Sequence, residues 1–179
     1  MPSCYSPGMS EWHLAELNVA RAVAAVDGPE LAEFVAALAA INALADAAPG
    51  FVWRLAGADA GAPAAADAAD ARLLLNLSVW TSAEALFDYV YKSAHTGLML
   101  KRRQWFEKPT QAHLVLWWVP AGHRPTLQEA QERLELLRRE GPSAQAFSFK
   151  QRFAPPAPDG TADGTPDDLR PEPYCSGWH

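Results

Sequence analysis

Residues Val79–Trp118 read VWTSAEALFDYVYKSAHTGLMLKRRQWFEKPTQAHLVLWW. An apolar strand end runs into Thr81-x-x-Glu84, a capping-box spacing that predicts a helix start. The helix carries Ala85, Leu86, Tyr89 and Val90 on its apolar side, and Ser93 or Thr96-Gly97 interrupts it. A second helical piece is expected over residues 96–106, ended by Lys108-Pro109. Residues 112–119 then form a strand that is apolar on both parities. Strand, broken helix and strand in this order predict a βαβ half in which the aromatics crowd one region.

The pattern continues toward the N-terminus. Residues 12–19, WHLAELNV, read as a first strand, with Trp12, Leu14 and Glu16 on one parity and His13, Ala15, Leu17 and Val19 on the other. Asp27-Gly28-Pro29-Glu30 is a helix start, because Asp or Gly can cap and Pro suits the first turn. Leu31, Phe34, Val35, Leu38, Ile41 and Ala45 follow helical spacing until Pro49-Gly50. Residues 51–55 form a short strand. Residues 56–71, AGADAGAPAAADAADA, hold no large apolar anchor and are expected to be a loop. Residues 72–80, RLLLNLSVW, form the next strand.

Beyond residue 119, Thr126-x-x-Glu129 is a second capping box. It opens a helix with the stripe Leu127, Ala130, Leu134 and Leu137, ended by Gly141. Residues 147–153, FSFKQRF, alternate and predict a short strand. The domain is thus expected over residues 11–153, with a loose arm at 1–10 and a disordered Pro- and Asp-rich tail at 154–179.

The first six elements, β-α-β-β-α-β, give an α+β ferredoxin-like fold with an antiparallel sheet, helices on one face, and an added C-terminal helix and strand. Strands LLLNLSVW and HLVLWWV are too apolar for a solvated face. A second sheet from another copy of the chain is the expected cover, hence a homodimer.

A length of 179 residues suits one domain. A net charge of −6 argues against nucleic acid as the partner, since phosphate binding needs a basic face. No stretch reaches about 18 uninterrupted apolar residues, and no secretory signal opens the chain, so no membrane partner and a cytoplasmic location are expected. Cys4 and Cys175 are expected as free thiols. No metal, nucleotide or Ser/His/Asp motif is present.

Helical spacing over 95–106 puts His95, Met99, Arg102 and Phe106 on one face. Facing a sheet with Trp117, and with Trp53 as a further wall, they would line an apolar pocket. His95 would supply an acid/base group there and Arg102 an anion clamp. The plainer alternative gives His95 a helix-junction hydrogen bond and leaves the arginines at the surface.

WHLAELNVAR, the VWTSAEAL and FDYVYKSAH block, RRQWF and AHLVLWWVPAGHRPT resemble the DUF3291 family over residues 11–153. That family is placed by resemblance in the dimeric α+β barrel superfamily of antibiotic biosynthesis monooxygenase-like proteins. The resemblance implies the barrel fold and a homodimer. It also suggests a monooxygenase-like oxidoreductase acting on a small aromatic or anionic substrate between helices and sheet. The strand-to-helix block ending in His95 is similar to that of haem-degrading members, and Asn18 stands where those members carry an Asn. Where they carry a Trp before the His, this chain offers Phe87, Tyr89 and Tyr91. Expected site residues are therefore His95 and Arg102 as catalytic groups, with Asn18, Trp53, Met99, Phe106 and Trp117 on substrate. No cofactor is assigned, with haem as the alternative. The other alternative is a dimeric ligand-binding or stress-related domain without catalysis.

Overall fold

β1 (Trp12–Arg21) lies in the middle of the sheet and pairs along nearly its whole length on both sides. The computed structural model describes residues 12–56, 64–65, 70, 72–92, 103–157 and 166–167. After β1 come a 3-10 turn (Pro29–Leu31), α1 (Ala32–Asp46), β2 (Phe51–Arg54), β3 (Ala64–Ala65) and β4 (Leu73–Trp80). Then follow α2 (Ala83–Lys92), β5 (Leu114–Pro120), α3 (Leu127–Glu140), β6 (Arg152–Phe153) and β7 (Pro166–Asp167). Strand order is β2-β4-β1-β5, every pairing antiparallel, with β3 sharing the β4 edge. The expected α+β, ferredoxin-like alternation of strands and helices is present.

Alternation along the strands sorts side chains onto two faces. Ala15, Leu17, Leu75, Leu77, Val79, Val115, Trp117 and Val119 pack with Ala130, Leu134 and Leu137 of α3. Leu14, Trp80 and Leu116 pack on the opposite face with Ala83 and Leu86 of α2. Leu31 and Phe34, at the start of α1, close that same face at its other end with Leu74, Trp105 and Phe106.

Helices therefore cover both faces, which corrects the expectation of one helical face and one face left for a second subunit. The sheet is indeed too apolar for solvent, as read from β4 and β5. The chain hides it with its own α3, whose stripe falls at the predicted positions.

Local chemistry explains most element ends. Gly28, not Asp27, is the residue at the start of the 3-10 turn, with Pro29 in its first turn. The α2 cap is Ser82, whose Oγ accepts from Ala85 N at 3.2 Å, rather than Thr81. Thr126 caps α3 as expected, accepting from Glu129 N at 3.1 Å. Only half of that capping box forms, because the Glu129 carboxylate accepts instead from Trp117 Nε1 (3.1 Å) and pairs with His123 Nε2 (2.8 Å).

Gly50 has φ +81°, and a Cβ there would lie 2.5 Å from Ala85 Cβ and 2.6 Å from Thr81 Oγ1. Gly50→Ala is expected to cost about 3 kcal/mol, through both strain and overlap, read as a lowered urea midpoint.

Three further readings change. The stretch 56–71 is not a bare loop, since Ala64–Ala65 pairs with Leu74–Leu75. Residues 147–153 are not one strand. Phe147 bridges to Leu116, Ser148 bridges to Gln151 across a turn, and only Arg152–Phe153 continues as a ladder. That ladder partners Pro166–Asp167, inside the stretch expected to be disordered. The arm at 1–10 lies outside the described residues.

Candidate functional site

Glu16 is a charged residue in the most buried run of the central strand, with only 5% of its surface exposed. Its cross-strand neighbour Ser78 is 4% exposed and donates from Oγ to Glu16 Oε2 at 2.8 Å. Ser78 Oγ in turn accepts from Trp80 Nε1 at 3.0 Å. Burial of a carboxylate this deep is costly unless hydrogen bonds and pairing offset it. The Trp80–Ser78–Glu16 chain delivers donors to it in one direction.

The register extends this polar line across the sheet. Arg54 faces Ser78, so Arg54, Ser78 and Glu16 form one row on the α1/α2 face. Arg54 is held by Asp46 at the end of α1, with contacts of 2.9 and 3.3 Å. Asn18 and Asn76 face each other in the next row.

On β5 the same two rows carry Leu116 and Leu114, so the polar side chains stand on β2, β4 and β1. One apolar cluster of this face holds Leu14, Trp80, Leu116 and Phe147, and another holds Ala22, Leu31, Leu74, Trp105 and Phe106. Asn76 is exposed, and on its outer edge it falls between the ends of β2 and β3.

Tyr89 of α2 belongs to this region. Its ring stacks on Trp80, with centroids 5.1 Å apart and planes at 27°. Its hydroxyl donates to Ile41 O at 3.4 Å. Burial pushes the phenol up to about 12, and the negative charges of Glu16 and Asp46 add to this while Arg54 opposes it. An unfolded tyrosine loses its proton near 10, so between the two values the folded chain holds a proton that the unfolded chain has lost. The associated stability is present below about pH 10 and disappears as pH rises toward 12. Tyr89→Phe is expected to remove an alkaline loss of about 2 kcal/mol, seen by comparing urea unfolding at neutral and strongly alkaline pH.

The segment carrying Trp105 and Phe106 is fixed to β1. Val23 N donates to Trp105 O (2.9 Å) and Glu107 N to Arg21 O (2.9 Å). Ion pairs Arg21–Asp70 (2.6 Å) and Arg72–Glu107 (3.2 Å) brace the same corner. The Arg72 backbone N–H, and then the Arg21 guanidinium, hold the Asp70 carboxyl below its usual range. Phe34 meets Phe106 edge-on (5.0 Å) and Trp105 at a tilt (5.6 Å), which builds an aromatic corner.

Of the residues expected from sequence, Asn18 and Phe106 lie on the α1/α2 face. Trp53 and Trp117 do not join them. Both point to the α3 face, where Trp117 is 1% exposed and hydrogen-bonded to Glu129, and Trp53 packs half-buried against the same cluster. Strand parity separates them from Asn18 and Phe106, which corrects the expectation that all four share one pocket. His95, Met99 and Arg102 lie outside the described residues.

Glu16, Ser78 and Tyr89 were not singled out from sequence. The available signal was a lone carboxylate on the same strand parity as Leu14, where an apolar residue is expected. A groove of about 450 Å³ between the end of α1 and α2 has Leu44, Pro49, Asp88 and Tyr89 among its lining residues. It leaves out Glu16, Ser78 and both asparagines.

Among the described residues, no group of three or more His, Cys, Asp or Glu could hold a metal.

Fold and site together define an α+β domain with an antiparallel sheet packed by helices and a buried carboxylate on its α1/α2 face. Residues 13–162 match the model of the domain of unknown function DUF3291, and the chain belongs to that family. No curated protein matches it significantly. Among solved structures it is similar to SnoaB, a cofactor-independent oxygenase from Streptomyces nogalater, at 19% identity and TM-score 0.43, covering 65% of this chain and 98% of that one. It is also similar to PA3566 from Pseudomonas aeruginosa, at 16% identity and TM-score 0.45, covering 66% and 99%. A protein of unknown function from Nitrosomonas europaea gives 14% identity and TM-score 0.42, covering 66% and 97%. No helix among the described residues is long and apolar enough to cross a membrane.

Proposed function

We propose that this chain binds a small aromatic molecule in the cleft on the α1/α2 face and acts on it as a monooxygenase-like oxidoreductase. The observation that carries the binding half is the group of polar side chains sharing one face of β1 and β4, Glu16, Ser78, Asn18 and Asn76, with Asn76 exposed. A floor built only for stability would be apolar there, as the α3 face is at the same level of the sheet. Oxygenation is the reaction class suggested by the family resemblance. A second reading, a binding domain without turnover, shares the same cleft.

Asn76→Trp tests the site, because the new ring fills the opening from an already exposed position. The expected result is an affinity for small naphthyl ligands weakened about tenfold or more, with an unchanged thermal midpoint. Unaltered affinity would place the ligand elsewhere. Oxygen uptake by the wild-type chain with a bound hydroxynaphthalene separates the two readings. Uptake abolished by Asn76→Trp supports turnover, and binding without uptake leaves the binding domain.

A further inference from the structure

We infer that Asn18 and Asn76 act together as a recognition pair for an uncharged group that carries a hydrogen-bond donor beside an acceptor, the edge of a carboxamide or lactam on an aromatic ring. The inference rests on the reading of the α1/α2 face as a ligand site and adds which edge the ligand presents.

The backbone sets the pair. Asn18 and Asn76 are Cα partners on β1 and β4, the two inner strands of the sheet. Ala22 N donates to Arg72 O at 2.7 Å, and counting back in twos from that pair, residues 18 and 76 exchange backbone hydrogen bonds with each other. Their Cα atoms are therefore about 5.5 Å apart, and both side chains leave the same face. Two carboxamides stand side by side on a rigid frame.

Their amides are unused. Among the described residues neither side chain has a hydrogen-bond partner, and the two do not bond each other. They are not sealed in either. Asn76 is exposed and Asn18 is half-buried, and the one buried side-chain polar atom without a partner among the described residues is His13 Nδ1. Each amide keeps two N–H donors and a carbonyl acceptor for a molecule arriving from solvent.

The surroundings choose the character of that molecule. Leu114 stands beside Asn18 on β5, and the next row along the strands is Ala20 and Leu74. That row, about 7 Å away, packs into the corner built with Trp105, Phe106 and Phe34. Neither row carries a charged side chain, so an anionic substituent meets no cation there. A flat apolar ring directed toward the aromatic corner brings its substituent to the asparagines. An amide substituent answers both functions of the pair, donating through N–H and accepting through C=O, whereas a ketone answers one. Asparagine meets such an edge with two bonds, as it does the donor–acceptor edge of adenine in DNA readout.

The test uses the full chain and three naphthalenes titrated by calorimetry at neutral pH: 2-naphthamide, 2-acetonaphthone, which has a methyl where the amide has its nitrogen, and 2-naphthol. In the wild type the amide is expected to bind about tenfold more tightly than the ketone, the worth of one or two hydrogen bonds. In Asn18→Leu and in Asn76→Leu that preference disappears. The thermal midpoint does not fall, because neither amide bonds within the described fold. A purely structural asparagine would move the midpoint and leave the amide-to-ketone ratio alone.

Ketone or naphthol binding as tightly as the amide in the wild type overturns the inference and leaves the face standing as an aromatic site. An amide preference that survives both leucine variants also overturns it, since the recognising groups then lie elsewhere. Binding of none of the three overturns this inference and the site together. Should Asn18→Leu fail to fold, Asn76→Leu, at an exposed position, decides alone.

Discussion

Trp117→Ala is expected to lower stability by about 3–5 kcal/mol and to leave the affinity of the remaining folded protein for cleft ligands unchanged. Trp117 is 1% exposed and fills the layer between the sheet and α3. Its indole N–H is also the link to Glu129, which pairs with His123 and so fastens the turn after β5 to the first turn of α3. The substitution removes packing and that link together. Equilibrium urea unfolding measures the first effect and calorimetry at a permissive temperature the second. A small stability loss with a large affinity loss would restore Trp117 to the site and put the ligand on the α3 face.

Leu134→Asp is expected to have the larger structural consequence. Leu134 sits in the middle of the α3 stripe, 3% exposed, against Ala15, Leu77, Val115 and Trp117. An unpaired carboxylate there costs several kcal/mol, enough to consume much of the stability of an ordinary domain. The sheet face it uncovers is apolar along three strands, so the variant is expected to bind anilinonaphthalene sulfonate and to self-associate in sedimentation velocity. In the wild type that face is packed under α3. If Leu134→Asp stays as compact and dye-silent as the wild type, α3 is not what shields the sheet.

These two results bear on what could be read from the sequence. The need for two covers was legible in LVLWWV and LLLNLSV, because both parities are apolar. The α3 stripe, Leu127, Ala130, Leu134 and Leu137, was legible from its spacing. That the stripe and the uncovered face belong to each other was not, since periodicity states which side of a helix is buried but not against what. The structure packs α3 of the same chain on that face. Trp53 and Trp117 failed for a related reason: residue type suggested a cavity wall, while the face of the sheet depended on register and on the irregularity between Phe51 and Trp53.

Glu16 was overlooked because a single acidic residue in a strand ordinarily points to solvent. Only the pairing of β1 with both β4 and β5 shows that this one cannot. Asn18, suggested by the family resemblance, and Phe106, suggested by helical spacing, both lie on the α1/α2 face. Residue 106 in fact pairs as a bridge with Ala22 rather than continuing a helix.

The central position of β1 also governs when this chain can acquire its shape during synthesis. Its neighbours lie far along the message: Leu14 meets Trp80 on one side and Trp118 on the other. A nascent chain emerging from the ribosome therefore carries its first strand unpaired until β4 is made and paired on one side only until β5 follows, and the shielding helix arrives later still. Loop-closure entropy makes such long-range pairing slow. Premature termination before Leu114 leaves β1 with one neighbour and an apolar flank, a product better suited to degradation than to function.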